Sequence, residues 1–261
     1  MLAYRQAVHY KQHMSPASLF PVFVAAHIAT GAVGLVAFWG PVALAKGTLL
    51  HRRIGTVFVI ALLCTGSSAL LMSLCTLWDP QGTHPHLATH PVFADAQLIR
   101  MVFGWLMLGL SLLTLNLVWY GWQSARNKRQ HARNLEWRTL LLQALTFLAG
   151  LNCAWQGLRI GQPLLLGMTA IGWATVGTNL WFLLRRSPGP VDWLKEHIKA
   201  LVGAGISVYT AFLAFGAVRT FPALALHPVL WAIPLTVGLI LIVYHQARVS
   251  PPRRRARATP A

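Results

Sequence analysis

Long apolar runs set the strongest limit on what this chain can fold into. A membrane-spanning helix needs about 20 mostly apolar residues, and seven runs reach or approach that length. Apart from Arg100 in the first turn of the third run, none contains Asp, Glu, Lys or Arg, each of which would cost about 2.5–3.5 kcal/mol at mid-bilayer. The runs are Leu19–Ala45, Ile54–Trp78, Leu98–Trp122, Thr139–Leu158, Pro163–Leu184, Ala200–Val218 and Pro228–Tyr244.

Composition places lipid, rather than water, around most of these runs. The chain has 261 residues, of which 56% are hydrophobic and 10% charged, whereas a soluble domain carries about 25% charged residues. The sequence therefore predicts an all-α integral membrane bundle of about seven transmembrane helices. Aromatic residues near the run ends predict an interfacial belt: Trp78, Trp119, Tyr120, Trp122, Trp181, Trp193 and Tyr244.

The distribution of cations predicts the orientation of the bundle. Of the 22 Lys and Arg residues, 17 fall in alternate connections and the C-terminal tail, and 5 fall on the other side. Cytoplasmic connections are enriched in Lys and Arg, so we expect the N-terminus outside and the C-terminus in the cytoplasm. The predicted organisation is an external segment (1–18), a transmembrane domain (19–249) and a basic, disordered cytoplasmic tail (250–261).

The net charge of +17 follows from the same topology. A soluble protein this basic would indicate nucleic-acid binding, but here no soluble domain carries a groove-reading element. We therefore expect membrane lipids, and no nucleic acid, as partners. The cysteines lie inside apolar runs without Cys-x-x-Cys spacing (Cys64, Cys75 and Cys153), which is typical of small buried hydrophobes rather than of a disulfide or zinc site.

The segment before the sixth run carries signals for the start of a helix. The sequence Ser-Pro-Gly-Pro at 187–190 indicates a turn, and Asp192 can cap a helix that begins outside the apolar run. We expect the sixth helix to begin in the cytoplasmic interface, with His197 about two turns in.

Histidine is the side chain with chemistry to offer inside the predicted spans, where polar residues are functional candidates by default. His27 lies about 12 Å into the first helix, on one face with Gly31, Gly34 and Phe38. Small residues let another backbone or a flat cofactor approach closely. His27 is therefore a candidate cofactor-binding residue; the alternative is a glycine-lined helix contact with a hydrogen-bonded histidine.

A second candidate is His51-Arg52-Arg53, at the predicted cytoplasmic start of the second helix. Two arginines beside a histidine suit a phosphate or carboxylate, such as a lipid headgroup, a haem propionate or an anionic substrate. His197 and His245 are predicted on the same side. The alternatives are positive-inside anchoring for the arginines and interfacial snorkelling for the two later histidines.

Other candidate sites have less support. The external loop between the second and third helices carries His84, His86 and His90, which suit zinc or copper, although loop histidines more often bind nothing. Paired carboxylates, a nucleophile elbow and a phosphate-cradling glycine loop are missing from the sequence. The amides within the spans suit hydrogen bonds between helices: Asn116, Gln143, Asn152 and Asn179.

The predicted topology limits how a haem iron could be ligated. His27 and His51 lie on opposite sides of the membrane, so one iron cannot take both. An inner pair would join His51 to His197 or His245, and an outer pair would join His27 to His227 or a loop histidine. The chain differs from the familiar di-haem membrane cytochromes, because no single helix carries two histidines about four turns apart.

Some of these residues resemble the pattern of a bacterial multi-pass membrane protein family of unknown function. The most specific part is the His-Arg-Arg-x-Gly element, and the match covers helices one, two and six, about half the chain. The matching residues are His27-x3-Gly31, Gly40-Pro41, Lys46, His51-Arg52-Arg53-x-Gly55, Glu196-His197-Ile198-Lys199 and Tyr209-Thr210-Ala211-Phe212. The resemblance implies an inner-membrane protein with functional positions at His27, His51 and His197, and it implies no activity.

The leading functional hypothesis is a small membrane redox protein that binds haem b or acts with a quinone. His51 and His197 would be the axial ligands, since neutral imidazole suits iron. Arg52 or Arg53 would contact the propionates, and His27 would belong to a second site or a quinone pocket. The rival is a non-redox transporter or lipid-handling protein whose arginines recognise an anionic headgroup. A third hypothesis is an accessory subunit, with a membrane-protein partner or a second copy of the chain.

Overall fold

The computed structural model of the chain describes residues 16–90, 93–216 and 227–249. Every regular element in these ranges is helical, as predicted. The long helices are α1 (Pro16–Ala43), α2 (Leu49–Trp78), α3 (Ala96–Asn127), α4 (Trp137–Ile160), α5 (Pro163–Leu183), α6 (Asp192–Ala211, continued by the π-helical Phe212–Gly216) and α7 (Pro228–Ala247). Most of the predicted external segment 1–18, the predicted tail 250–261 and the end of the sixth run lie outside the described residues.

Five of these helices are long and apolar enough to cross a membrane: α1, α2, α3, α6 and α7. Helices α4 and α5 have 24 and 21 residues, which is long enough for a hydrocarbon core of about 30 Å. They do not reach the apolar character of the other five, and they carry polar residues such as Gln143 and Asn179. The described part of the chain is therefore all-helical, and five of its helices have the length and apolar composition of membrane spans.

The interior is divided between two clusters of buried side chains. One surrounds Tyr120 and joins α1, α2, α3, α5 and α6. The other surrounds Phe93 and packs the start of α3 against the starts of α5 and α7. The connections 44–48, 128–136 and 184–191 meet the end of α7 at one end of the bundle. We call this the basic end, because it carries most of the cations, and we call the end around Phe93 the opposite end.

Helix α1 packs along α2 through the glycine face predicted from the sequence. Gly31 and Gly34 are buried, and a Cβ on Gly34 would lie only 2.6 Å from Leu62. Phe38, on the same face, packs across Gly205 of α6, where a Cβ would lie 2.3 Å from the ring. These glycines let the helix backbones approach closely, so they position α1 against both neighbours.

Helix α6 begins at Asp192, before the apolar run, as predicted. The capping position is held by Val191, and the Asp192 side chain has another role. Its carboxylate accepts from the Gly189 N–H at 2.8 Å and pairs with Arg185 at 2.9 Å. Asp192 therefore stabilises the turn that precedes α6 rather than the first amides of the helix.

Large apolar and aromatic side chains cover the outside of the bundle, as expected of a surface in contact with lipid. Trp78 and Trp181, at helix ends, are 79% and 75% exposed, which fits an interfacial belt. The prediction that Tyr120 belongs to this belt is wrong, since Tyr120 is 1% exposed. Its hydroxyl has a hydrogen-bond partner inside the bundle, on Glu196, and this contact draws it away from the lipid.

Candidate functional site

His51 lies on the first turn of α2, at the basic end. Thr48 caps this helix, because its hydroxyl accepts from the His51 N–H at 3.2 Å. The imidazole is partly buried and lies near the Pro41 carbonyl. Its Nδ1 is enclosed and has no hydrogen-bond partner among the residues that the structure describes. Buried polar atoms are normally hydrogen-bonded, so this nitrogen marks a position where a ligand would be stabilised.

His197 lies on the second turn of α6, and α3 holds its ring in place. Its Nδ1 is 2.9 Å from the carbonyl oxygen of Gly121. A carbonyl can only accept, so a neutral His197 carries its proton on Nδ1 and a lone pair on Nε2. Metal-ligating histidines are commonly held in this way, with one nitrogen on a backbone carbonyl and the other on the metal.

The fold brings the predicted inner histidines to one region of the basic end. His197 is close enough to His51 and Lys46 for their charges to interact. His245, near the end of α7, is likewise close enough to interact with the charges of Lys46 and Arg248. Across the described ranges, no three His, Cys, Asp or Glu side chains are placed to share a metal ion. The region therefore offers a pair of imidazoles rather than a metal centre with three or more protein ligands.

Lys46 supplies a fixed positive charge beside these histidines. Its Nζ donates to the carbonyls of Pro41 and Val42 at 2.6 and 2.7 Å, which lie at the end of α1, where the last carbonyls lack partners within the helix. Partial burial lowers the pKa of Lys46 from its ordinary value, because the ammonium loses solvation. A cation at a helix C-terminus is favourable. Lys46 therefore stabilises the end of α1 and places a positive charge beside the histidines.

Arg52 and Arg53 are exposed on the first turn of α2. Two ion pairs occur within residues 16–90, 93–216 and 227–249, and neither includes these arginines. Their guanidinium groups are thus accessible from solution or from the lipid surface. Contact with a propionate or a headgroup stays a prediction.

A polar network that the sequence did not single out lies next to His197. Tyr120 donates to Glu196 at 2.7 Å, and Lys199 pairs with the same carboxylate oxygen at 2.5 Å. Lys199 also donates to Thr178 at 3.3 Å, so the network joins α3, α5 and α6. Its signal in the sequence was Glu196 itself, one of five acidic residues, placed three residues before Lys199 on the same helix face.

His27 lies far from the inner histidines. Its Nδ1 is 3.1 Å from the Thr65 carbonyl of α2, and the Thr65 hydroxyl donates to Thr30 at 2.8 Å. Thr65 is 14 residues beyond His51 on the same helix, a separation of about 21 Å at 1.5 Å per residue. His27 and His51 therefore cannot ligate one ion, as the predicted topology implied.

The loop histidines at the opposite end take part in packing. His84 is 7% exposed, and its ring centroid lies 5.0 Å from that of Phe20 and 4.8 Å from that of Phe103. Burial, together with the nearby His86, lowers the pKa of His84 to about 4. The proposed zinc or copper site also requires His90, and the described side chains form no three-residue ligand group.

Amide side chains connect the middle of α3 to α4. Asn116 donates to Gln143 at 3.1 Å and accepts from it at 2.7 Å, and Asn116 also donates to Thr146 at 3.2 Å. This is the interhelical bonding that the sequence suggested. Asn179 of α5 differs, because neither atom of its fully buried amide has a partner within the described part of the chain.

Comparisons with known proteins leave the site to be interpreted from its own residues. No family model, no curated protein and no solved structure matches the chain. The resemblance to a bacterial membrane family therefore stays a prediction.

Proposed function

We propose that the chain crosses a bacterial inner membrane seven times, with its N-terminus outside and its C-terminus in the cytoplasm. The lengths of α4 and α5 support the number of crossings, and the concentration of cations at the basic end supports the orientation. Reporter fusions after Gln81 and Gly161 are expected outside, and fusions after Gln130 and Ser187 inside. A fusion after Gly161 on the same side as the one after Gln130 would show that α4 does not cross.

We propose that this membrane protein binds haem b, which His51 and His197 would hold and which would supply single-electron transfer. One arrangement supports the proposal: both imidazoles lie at the basic end, and each has a ring nitrogen that can bind a metal. The Gly121 carbonyl holds Nδ1 of His197, which leaves Nε2 for a metal. The Nδ1 of His51 is buried without a described partner.

The neighbouring residues have roles that follow from their contacts. The Gly121 carbonyl sets the tautomer and the ring angle of His197, which raises its basicity as a ligand. Arg52 and Arg53 suit the propionates, because a guanidinium binds a carboxylate through two parallel hydrogen bonds. A bound haem would supply one-electron chemistry. The chain itself binds and orients the group, and its apolar helices exclude water.

His27 is the candidate for the quinone-linked part of this function. The Thr65 carbonyl accepts from Nδ1 of a neutral His27, which leaves a lone pair on Nε2. A quinol hydroxyl can donate to that nitrogen. Replacing His27 with Ala is expected to slow reduction of the protein by quinol while leaving its absorption spectrum unchanged.

An optical spectrum of the purified protein in detergent tests the haem proposal. We expect a Soret band that is lost in His51→Ala and in His197→Ala. The matched control is His131→Ala, since His131 is also at the basic end and also has a buried Nδ1 without a described partner. Its Nε2 faces the Leu183 carbonyl at 3.1 Å, and its ring packs against Phe182 with the centroids 4.7 Å apart. These contacts involve neither His51 nor His197, so the band should persist.

Two other results would change the proposal in different ways. Loss of the band in His245→Ala, with the band retained in His197→Ala, would show that His245 rather than His197 is the second ligand. A colourless protein that saturates with phospholipid would reject haem binding and favour the non-redox transporter or lipid-handling function.

A further inference from the structure

A cavity of about 540 Å³ opens at the basic end, apart from His51 and His197. One wall is formed by the end of α3 and the turn that follows it, and the other by the residues just before and at the start of α6. Small-molecule sites in proteins have volumes of about 300–1,000 Å³, so the cavity has the size of a binding site. Its cationic lining residues are Arg126, Lys128, Arg129 and Arg133.

None of these four cations has a carboxylate partner among the described residues, since neither ion pair includes them. The acidic residues nearest to the lining in sequence are engaged elsewhere. Glu136 accepts from Trp119 and Gln123, and Asp192 accepts from Arg185 and Gly189. The cavity therefore carries uncompensated positive charge, which attracts anions.

The backbone at Lys128 shows that the wall of the cavity is held in an unfavourable conformation. Lys128 has a φ of 49°, and no other described non-glycine residue has a positive φ. Its N–H donates to the Ser124 carbonyl at 3.0 Å, and Asn127 donates to Asn134 at 2.9 Å across the turn. Backbone strain of this kind persists where surrounding contacts enforce it, and it is common at ligand-binding sites.

Aromatic side chains indicate the depth of the cavity in the membrane. The Arg126 guanidinium lies over the Trp122 ring, 5.3 Å from its centroid, a cation–π arrangement that orients the charge. Trp193 lines the cavity itself. Because tryptophan prefers the membrane–water interface, these two residues favour a position of the cavity at the level of lipid headgroups.

We propose that this cavity binds a phosphate-bearing anion, carried by an anionic phospholipid headgroup or by a soluble phosphate ester. Guanidinium groups match phosphate oxygens in bidentate geometry, and a lysine ammonium adds a point charge. Both sources present the same chemistry, and the interfacial depth favours the lipid. The site shares no residue with the haem proposal, so each can fail without the other.

Isothermal titration calorimetry on the full chain in phosphatidylcholine nanodiscs tests the site. The probes are dioctanoyl phosphatidylglycerol and inorganic pyrophosphate. Saturable binding of phosphatidylglycerol alone identifies a lipid site, and binding of pyrophosphate identifies a site for soluble phosphates. Absence of saturable binding for both probes would overturn the proposal.

Charge-matched variants separate a specific site from general attraction to a basic surface. Arg126→Gln/Arg133→Gln is expected to weaken binding by about tenfold or more, since charge-assisted hydrogen bonds are lost. Arg186→Gln/Arg248→Gln removes the same charge from positions of the basic end that do not line the cavity, and it is expected to change binding by less than about twofold. Equal losses in the two variants would overturn the proposal.

The variant Lys128→Gly distinguishes weaker binding from a loss of folding. Glycine adopts a positive φ without strain, so this variant should have a higher Tm than the wild type while binding the anion more weakly. Undiminished binding in Lys128→Gly would show that Lys128 does not contact the anion. If binding is also undiminished in Arg126→Gln/Arg133→Gln, the proposed site is wrong.

Discussion

The two ends of the bundle place histidine in different surroundings. At the opposite end, around Phe93, His84 is enclosed by the rings of Phe20 and Phe103, and burial lowers its pKa to about 4. At the basic end, His51 and His197 lie beside Lys46, and their nitrogens face a carbonyl or have no described partner. The surroundings, rather than the residue type, thus separate a histidine that packs from one that can bind.

The ends also differ in what stabilises them. The opposite end is joined by an apolar cluster around Phe93, which is 2% exposed. The basic end adds polar contacts between helices, above all those of Glu196 with Tyr120 and Lys199. We therefore expect substitutions that remove buried volume, and changes in pH, to lower stability mainly through the opposite end. Substitutions that remove a charge should lower stability mainly through the basic end.

The largest effect is expected from Phe93→Ala. Removing a buried aromatic side chain leaves a cavity and costs about 3–5 kcal/mol. The free energy of unfolding, measured by denaturant titration in detergent, should fall by this amount at both low and high salt. Phe212→Ala is the control. Because Phe212 is 56% exposed, removing its side chain should lower the free energy of unfolding far less. A similar loss in both variants would show that the cluster does not hold this end together.

The pH response of His84 is expected to be of nearly the same size. An unfolded histidine takes up a proton below about pH 6.5, whereas the folded His84, with a pKa of about 4, takes it up only near pH 4. Stability should therefore fall by about 3 kcal/mol between pH 6.5 and pH 4. His84→Phe keeps a ring between Phe20 and Phe103 and should lose this part of the pH dependence. Identical profiles for the wild type and His84→Phe would contradict the buried, neutral state.

A smaller effect is expected from Glu196→Gln at the basic end. The change leaves Lys199 without its carboxylate partner at a site where both side chains are largely buried, at a cost of about 2–3 kcal/mol. The double variant Glu196→Gln/Lys199→Met removes the unpaired charge and should recover at least half of the loss. If the double variant is no more stable than Glu196→Gln, the ion pair is not what stabilises this contact.

The smallest effect is expected from Arg185→Gln. Its pair with Asp192 is exposed, with 46% of the Arg185 side chain accessible, and such surface pairs contribute about 0–1 kcal/mol. Added salt should reduce even this contribution. A loss as large as that of Glu196→Gln would mean that charge, rather than burial, decides the contributions at the basic end.

Several parts of the fold could be read from local sequence. The cost of placing a charged residue at mid-bilayer is set by its residue type, so the apolar runs predicted the helices. The turn at 187–190 and Asp192 predicted where α6 begins, although not that Asp192 would bond to Gly189 and Arg185. The spacing of Gly31 and Gly34 predicted a close helix contact, since residues three and four apart share one face.

The candidate site depended on partners that local sequence does not show. Tyr120 and Gly121 meet Glu196 and His197 across 76 residues of chain. The approach of His197 to His51, and the enclosure of His84 by Phe20 and Phe103, likewise needed the packing of separate helices. Nothing in the spacing of these residues indicates which of them will meet.

By itself, the sequence determined that the chain forms apolar helices and that cations gather in particular connections, because both depend on how single residues partition between lipid and water. Tertiary structure alone decided which helix faces turn inward and which histidines acquire free nitrogens. The physical reason is that lipid and protein interior are equally apolar. Hydrophobic periodicity therefore does not distinguish a lipid-facing side from a buried one, and close packing and interhelical hydrogen bonds make that choice.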